Sequence, residues 1–125
     1  MARTSVTPLE LTAAGVAPTP TTIDSTLVTA GVTLPVGGLT HRIVLRVINT
    51  AATPKILTIQ AGDPYYAHRA ALGDIAITVP ASSAELEIAG LEASRVVQTA
   101  GAVWVDFEAG FTGTLHAALV PWHNV

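Results

Sequence analysis

The sequence predicts an all-β domain: an antiparallel β-sandwich, or a barrel-like relative of one, of roughly seven to nine short strands behind an extended N-terminal arm. Three observations carry this expectation. Strand-like alternation recurs at about 8 to 12 residue intervals with turn formers between the runs. No segment keeps a helical period over three turns. The links between apolar runs are too short to hold the crossover helices of a parallel α/β sheet. At 125 residues the chain has the size of one domain with one core, so residues 1–22 read as the arm and residues 23–125 as the sandwich.

The arm is rich in Thr, Ala and Pro. Pro8, Pro18 and Pro20 exclude a long helix and disfavour a central strand, whereas Leu9 and Leu11 alternating with Glu10 and Thr12 predict a short edge strand near Thr7 to Thr12, closed by Gly15. Such an arm lies across its own domain or reaches over a neighbour. From Thr26 to Val36 the alternation predicts a strand with Val28, Ala30, Val32 and Leu34 on its apolar face, ended by Pro35 and Gly37-Gly38.

His41 to Asp63 is the strongest signal in the chain. Ile43 to Ile48 and Ile56 to Ile59 are aliphatic and β-branched, and the turn formers of Asn49 to Pro54 between them predict a β-hairpin at the centre of the fold. Period two puts Ile43, Leu45 and Val47 on the core face and Val44, Arg46 and Ile48 on the other. A loop follows from Gly62 to Gly73, with a single helical turn over Ala67 to Leu72. Further strands are expected at Asp74–Val79, Ala84–Ile88, Ser94–Thr99, Val103–Glu108 and Thr114–Val120. Ala84–Ile88 is the clearest of these, setting Leu86 and Ile88 against Glu85 and Glu87.

Composition limits function. Half of the residues are apolar and only 12% are charged, about half the usual share, so another protein is expected to cover part of the surface. Six basic residues spread through a chain of net charge -3 cannot neutralise a run of phosphates, which argues against nucleic acid. Without cysteine there is no disulfide, thiolate nucleophile or Cys-based metal site. No signal-peptide core and no uninterrupted run of about 18 apolar residues is visible, so a soluble product of a cytoplasm, with no membrane partner, is expected.

No constellation of reactive side chains stands out. His41, His68, His116 and His123 never fall at the i, i+2 or i, i+4 spacing that sets two metal ligands on one face. Asp106 with Glu108, and Glu85 with Glu87, have the pattern of solvent-facing acids on a strand, not of a glycosidase pair. Ser82-Ser83 lacks a nucleophile elbow, and Gly37-Gly38 and Gly110 to Gly113 precede no helix that would cradle a phosphate. The expectation is therefore no catalytic residue, no cofactor and no metal. Tyr65 and Tyr66, beside Asp63 and Arg69, read as a loop or subunit anchor, with a sugar-stacking platform as the weaker reading. Trp122 reads as a second anchor at the C-terminal end. The residues expected at interfaces are Arg3, Val6, Leu9, Leu11, Tyr65, Tyr66, Arg69 and Trp122.

Several stretches resemble one family. They are Ala2-Arg3-Thr4-Ser5-Val6-Thr7-Pro8, Leu45-Arg46-Val47-Ile48-Asn49-Thr50-Ala51, Ile59-Gln60-Ala61-Gly62-Asp63-Pro64, Leu72-Gly73-Asp74 before a strand ending in Val79-Pro80, and Val105-Asp106-Phe107-Glu108 with its glycine turn. Together they resemble small structural proteins encoded among the head genes of tailed bacteriophages, particularly phages of actinobacteria, and specifically capsid decoration (cement) proteins. The resemblance spans most of the chain through structural motifs and carries over no catalytic residue. It implies a virion protein outside an icosahedral shell, commonly a trimer at three-fold and quasi-three-fold positions, with the major capsid protein as partner. Two further readings use the same fold: a tail or head-tail joining protein, in which a ring replaces the trimer, and a carbohydrate-binding module using Tyr65, Tyr66 and Trp122. A glycan is the weakest of the expected partners.

Overall fold

Alternating apolar residues in short β-branched runs can bury one face each, and two sheets facing each other are the way such runs close a core. The computed structural model, which describes residues 2–36, 40–64, 67–98 and 101–120, shows this arrangement. Its strands are β1 (Thr4–Ser5), β2 (Leu9–Glu10), β3 (Thr21–Ile23), β4 (Val32–Pro35), β5 (Ile43–Asn49), β6 (Lys55–Ile59), β7 (Ile75–Val79), β8 (Ala84–Ala89), β9 (Ala102–Phe107) and β10 (Gly113–Leu119). Two short helices, α1 (Ser25–Ala30) and α2 (Ala93–Val96), interrupt them. One sheet runs β1-β4-β9-β6-β7; the other runs β2-β10-β5-β8, with β3 also on β10.

The pairing is nested. Taken from the outside in, β3 pairs β10, β4 pairs β9, β5 pairs β8 and β6 pairs β7, all antiparallel, and successive pairs alternate between the two sheets. The chain from β3 to β10 is thus one long antiparallel ribbon folded back at β6–β7 and rolled into a sandwich, the strand order of a double-sheet jelly roll. The roll closes where β10 also pairs β5 and β9 also pairs β6.

This topology corrects the central hairpin. β5 and β6 do not pair: β5 lies between β10 and β8, and β6 lies between β9 and β7 in the opposite sheet. The Asn49–Pro54 link is an arch over the edge of the core. Parts of two expected strands are helical, while the second half of the first, Val32–Pro35, is strand β4 as expected. Thr26–Ala30 belongs to α1, whose first turn is capped by the Asp24 carboxylate accepting from the Leu27 amide at 3.0 Å, and whose end is marked by Gly31 at φ 79. Ser94–Val96 lies in the single turn of α2. Both sheets are mixed, not purely antiparallel, because β1 joins β4 and β2 joins β10 in parallel.

The inner faces agree with the alternation. Ile43, Leu45 and Val47 of β5, Val32 and Leu34 of β4, Leu57 and Ile59 of β6, and Val103, Val105 and Phe107 of β9 are buried. Phe107 meets Phe111 edge to face, with ring centroids 5.2 Å apart. Among the described residues three polar side chains are buried, Thr40, Asn49 and Gln98, and Asn49 ties two arches together. The Asn49 amide donates to the carbonyls of Thr53 (3.1 Å) and Val79 (3.3 Å), and its oxygen accepts from the Ala51 amide (3.0 Å). The backbone completes the knot: the Ser83 amide donates to the Asn49 carbonyl (2.7 Å) and the Ser82 amide to the Ala51 carbonyl (3.0 Å). The β5–β6 arch and the β7–β8 arch are therefore tied to each other at one side chain.

Candidate interaction surface

The arm is docked on its own sandwich and strides from one sheet to the other. In the first sheet the Thr4 amide donates to the Gly31 carbonyl and the Val6 amide to the Thr33 carbonyl, each at 3.0 Å. In the second the Leu11 amide donates to the Leu119 carbonyl at 2.9 Å. Prolines confine such a segment to edge pairing, which is where it lies.

Two points of the arm, one near its start and one near its middle, are held by charge. Arg3 Nη1 lies 2.7 Å from Asp106 Oδ1, and its guanidinium stacks 4.6 Å from the centroid of the Trp104 ring. Asp106 is held in turn by the Gln60 side-chain amide. Gly31 makes room for this cluster, since a Cβ on it would run into both Arg3 Nη1 and Asp106 Oδ1. At the second point Arg42 Nη2 lies 2.9 Å from Glu10 Oε1 and its Nε donates to the Val120 carbonyl at 2.8 Å. Replacing Arg3 with alanine removes a half-exposed ion pair and a cation–π contact, an expected loss of about 1 kcal/mol that shrinks as salt rises. Faster limited proteolysis within the arm, with a melting temperature lowered by only about 3–5 °C, is the expected reading. Unchanged cleavage would show that Arg3 does not hold the arm.

Two hollows lie beneath the arm, the second of them on the outer face of the second sheet. One, of about 200 Å³, is lined by hydroxyl residues including Thr4, Ser5, Thr7 and Thr21; the other, of about 230 Å³, is lined by Leu9, Leu11, Val16 and Val44. His116 borders both, with its Nε2 buried and without a hydrogen-bond partner among the described residues. Arg46, directly opposite His116 in register, turns to the strand on its other side and ion-pairs Glu85 (2.9 Å) and Glu87 (2.7 Å). The hydrogen bond to Glu87, and then the charges of Glu85 and Glu87, raise the Arg46 pKa above its ordinary value.

The expected interface residues divide accordingly. Arg3 and Val6 are turned inward on the chain's own sandwich, and Leu9 and Leu11 wall the apolar hollow. Arg69 is exposed and ion-pairs Glu92 at 2.5 Å. The Ser94 hydroxyl, and then Arg69, lower the Glu92 pKa. Tyr65, Tyr66 and Trp122 lie outside the described residues. The acid pairs are engaged in structure: Glu85 and Glu87 hold Arg46, Asp106 holds Arg3, and Glu108 Oε2 accepts from the Ile56 amide at 3.1 Å. Among the described residues no group of three or more His, Asp or Glu could hold a metal ion, and no helix is long and apolar enough to cross a membrane. The arm's seat at Trp104 and Asp106 was not anticipated. Its visible signal is a tryptophan on the outer face of a strand, which needs a cover. No family model matches the chain, and neither a curated protein nor a solved structure matches it.

Proposed function

We propose that the chain is a non-enzymatic structural protein of a tailed-phage particle, decorating the outer surface of the icosahedral capsid as a trimer that bridges capsomers. The observation that carries this reading is the stretch from Thr12 to Pro20. Every residue in it is exposed, none is charged, and Val16 is among the few large exposed apolar side chains. Its flanks, β2 and β3, are both pinned to β10 of the second sheet, so the stretch is held at each end and loses less entropy when covered than a free tail would. An uncharged, exposed surface of this kind suits a protein partner, and three copies in a trimer multiply a modest contact. Jelly rolls serve viral capsid and lectin domains alike, so the fold supports the reading only by analogy; the resemblance of the arm, β5 and β9 stretches to decoration proteins selects the capsid.

Because the arm supplies strands to both sheets, its deletion confuses binding with folding. Point changes avoid this. Purified chain is added to undecorated capsids of the phage that encodes it and co-sedimented, alongside a chain carrying Ala14→Glu and Ala17→Glu. The wild-type chain is expected to sediment with capsids and raise their melting temperature, with the doubly charged variant folded but bound at least tenfold more weakly. Equal binding by both would remove the arm from the contact, and absence of wild-type binding would overturn the capsid assignment. The mass of the soluble chain separates the trimer from the larger ring of a tail or head-tail joining protein.

A further inference from the structure

The two flanks of the sandwich are not alike. One is covered by β1, β2 and β3, while on the other the sheets end at β7 and β8 with no further strand among the described residues. Edge strands present unpaired amides and carbonyls, and proteins ordinarily blunt them with charge, proline or a bulge. β8 is blunted by Glu85 and Glu87 on its outer face. β7, Ile75-Ala76-Ile77-Thr78-Val79, carries no charge and no proline, and its register with β6 is continuous. Ile75 and Ile77 face the core yet remain half-buried, as does Leu86 of β8, so the rim of the core is open along this flank. Apolar surface continues onto Leu72 (54% exposed) just before β7 and Ile56 (39% exposed) on the adjacent strand.

We infer that β7 is a self-pairing edge through which two copies of the chain join their β1-β4-β9-β6-β7 sheets about a two-fold axis. The sequence of β7 is complementary to itself when reversed. With Ile77 on the axis, Ile75 meets Val79 of the second copy on the inner side and Ala76 meets Thr78 on the outer side, so apolar faces apolar and small faces small. The end residues do not clash either. Asp74 falls opposite Pro80 of the other copy, at the end of the sheet where Lys55 sits beside Val79, so opposite charges approach there. The same operation on β8 sets Glu85 against Glu87 of the second copy, like charge against like and only partly offset by Arg46, which disfavours that edge.

The contact is independent of the capsid reading, and the test keeps the two apart. Ala76 and Thr78 are exposed on the outer face of β7, so a lysine at either leaves the core untouched and places a charge on the edge. Solution masses of the wild-type, Ala76→Lys and Thr78→Lys chains are compared by light scattering, with circular dichroism as the check on folding. The wild-type mass is expected to be twice that of either folded variant. A hexamer reduced to a trimer supports both the edge and the proposed trimer; a dimer reduced to a monomer supports the edge and removes the trimer. Equal masses for the wild-type chain and a folded variant overturn the pairing.

Discussion

Replacing Gly113 with alanine is expected to abolish the folded state, or to cost at least ~4 kcal/mol, a large part of the ~5–15 kcal/mol that holds an ordinary domain together. Gly113 opens β10 in the left-handed region at φ 134, opposite Asn49 in register. A Cβ there would run deep into the Ile48 carbonyl oxygen, with the Thr50 amide also close by. Neither obstacle is a flexible side chain; both belong to the backbone paired with β10, so relief requires unzipping the pair that closes the roll. Gly15→Ala is the matched control. It also changes a positive-φ glycine, at φ 85, but its Cβ would meet nothing within 4 Å, so it is expected to cost only about 1 kcal/mol. Urea unfolding of the two variants separates contact from conformation. A Gly113→Ala chain as stable as Gly15→Ala would refute the steric account.

The second large effect is expected at Asn49. Alanine in its place leaves the Thr53 and Val79 carbonyls and the Ala51 amide without their side-chain partner at a fully buried position, an expected loss of about 2–4 kcal/mol. Asn49→Asp keeps an acceptor for Ala51 but turns a carboxylate toward two carbonyls. It is expected to be at least as damaging at neutral pH and to recover stability in acid, where a protonated carboxyl can again donate one of the lost bonds. Two arches depend on this side chain, so exchange of the Ser82 and Ser83 amides is expected to quicken in both variants. A loss below about 1 kcal/mol for Asn49→Ala would show that the arches hold without it.

What the sequence revealed followed the range of its signals. Period-two alternation is a property of neighbours, and it identified the buried faces of β5, β8 and β9 because burial on a sheet face needs only the next residue to turn away. Pairing is a property of distant segments. The turn formers at Asn49 to Pro54 announce a reversal of the chain, but a hairpin within one sheet and an arch between two sheets use the same residues, and only the closing of the whole roll decides between them. The Ser25–Ala30 helix is too short for its period to be told from a strand by apolar spacing, although Asp24 and Gly31 are the cap signals that bracket it. At the arm, Arg3 and its partner Asp106 stand about a hundred residues apart in the chain, so no local pattern joins them.

The nested ribbon also bears on the order of events during synthesis. β6 and β7 are the first antiparallel partners in the roll to be available together, and each later strand completes a pair with one made progressively earlier. β3 must wait for β10, whose first partner residue, Gly113, follows Ile23 by most of the sandwich. Local contacts therefore hold little until the last strand has emerged from the ribosome, and the chain closes late, by long-range pairing of the slow kind. Until then the uncharged β7 edge is laid out with no finished sandwich behind it, which makes the interval between its synthesis and that of β10 the time at which neighbouring nascent chains are most exposed to mispairing.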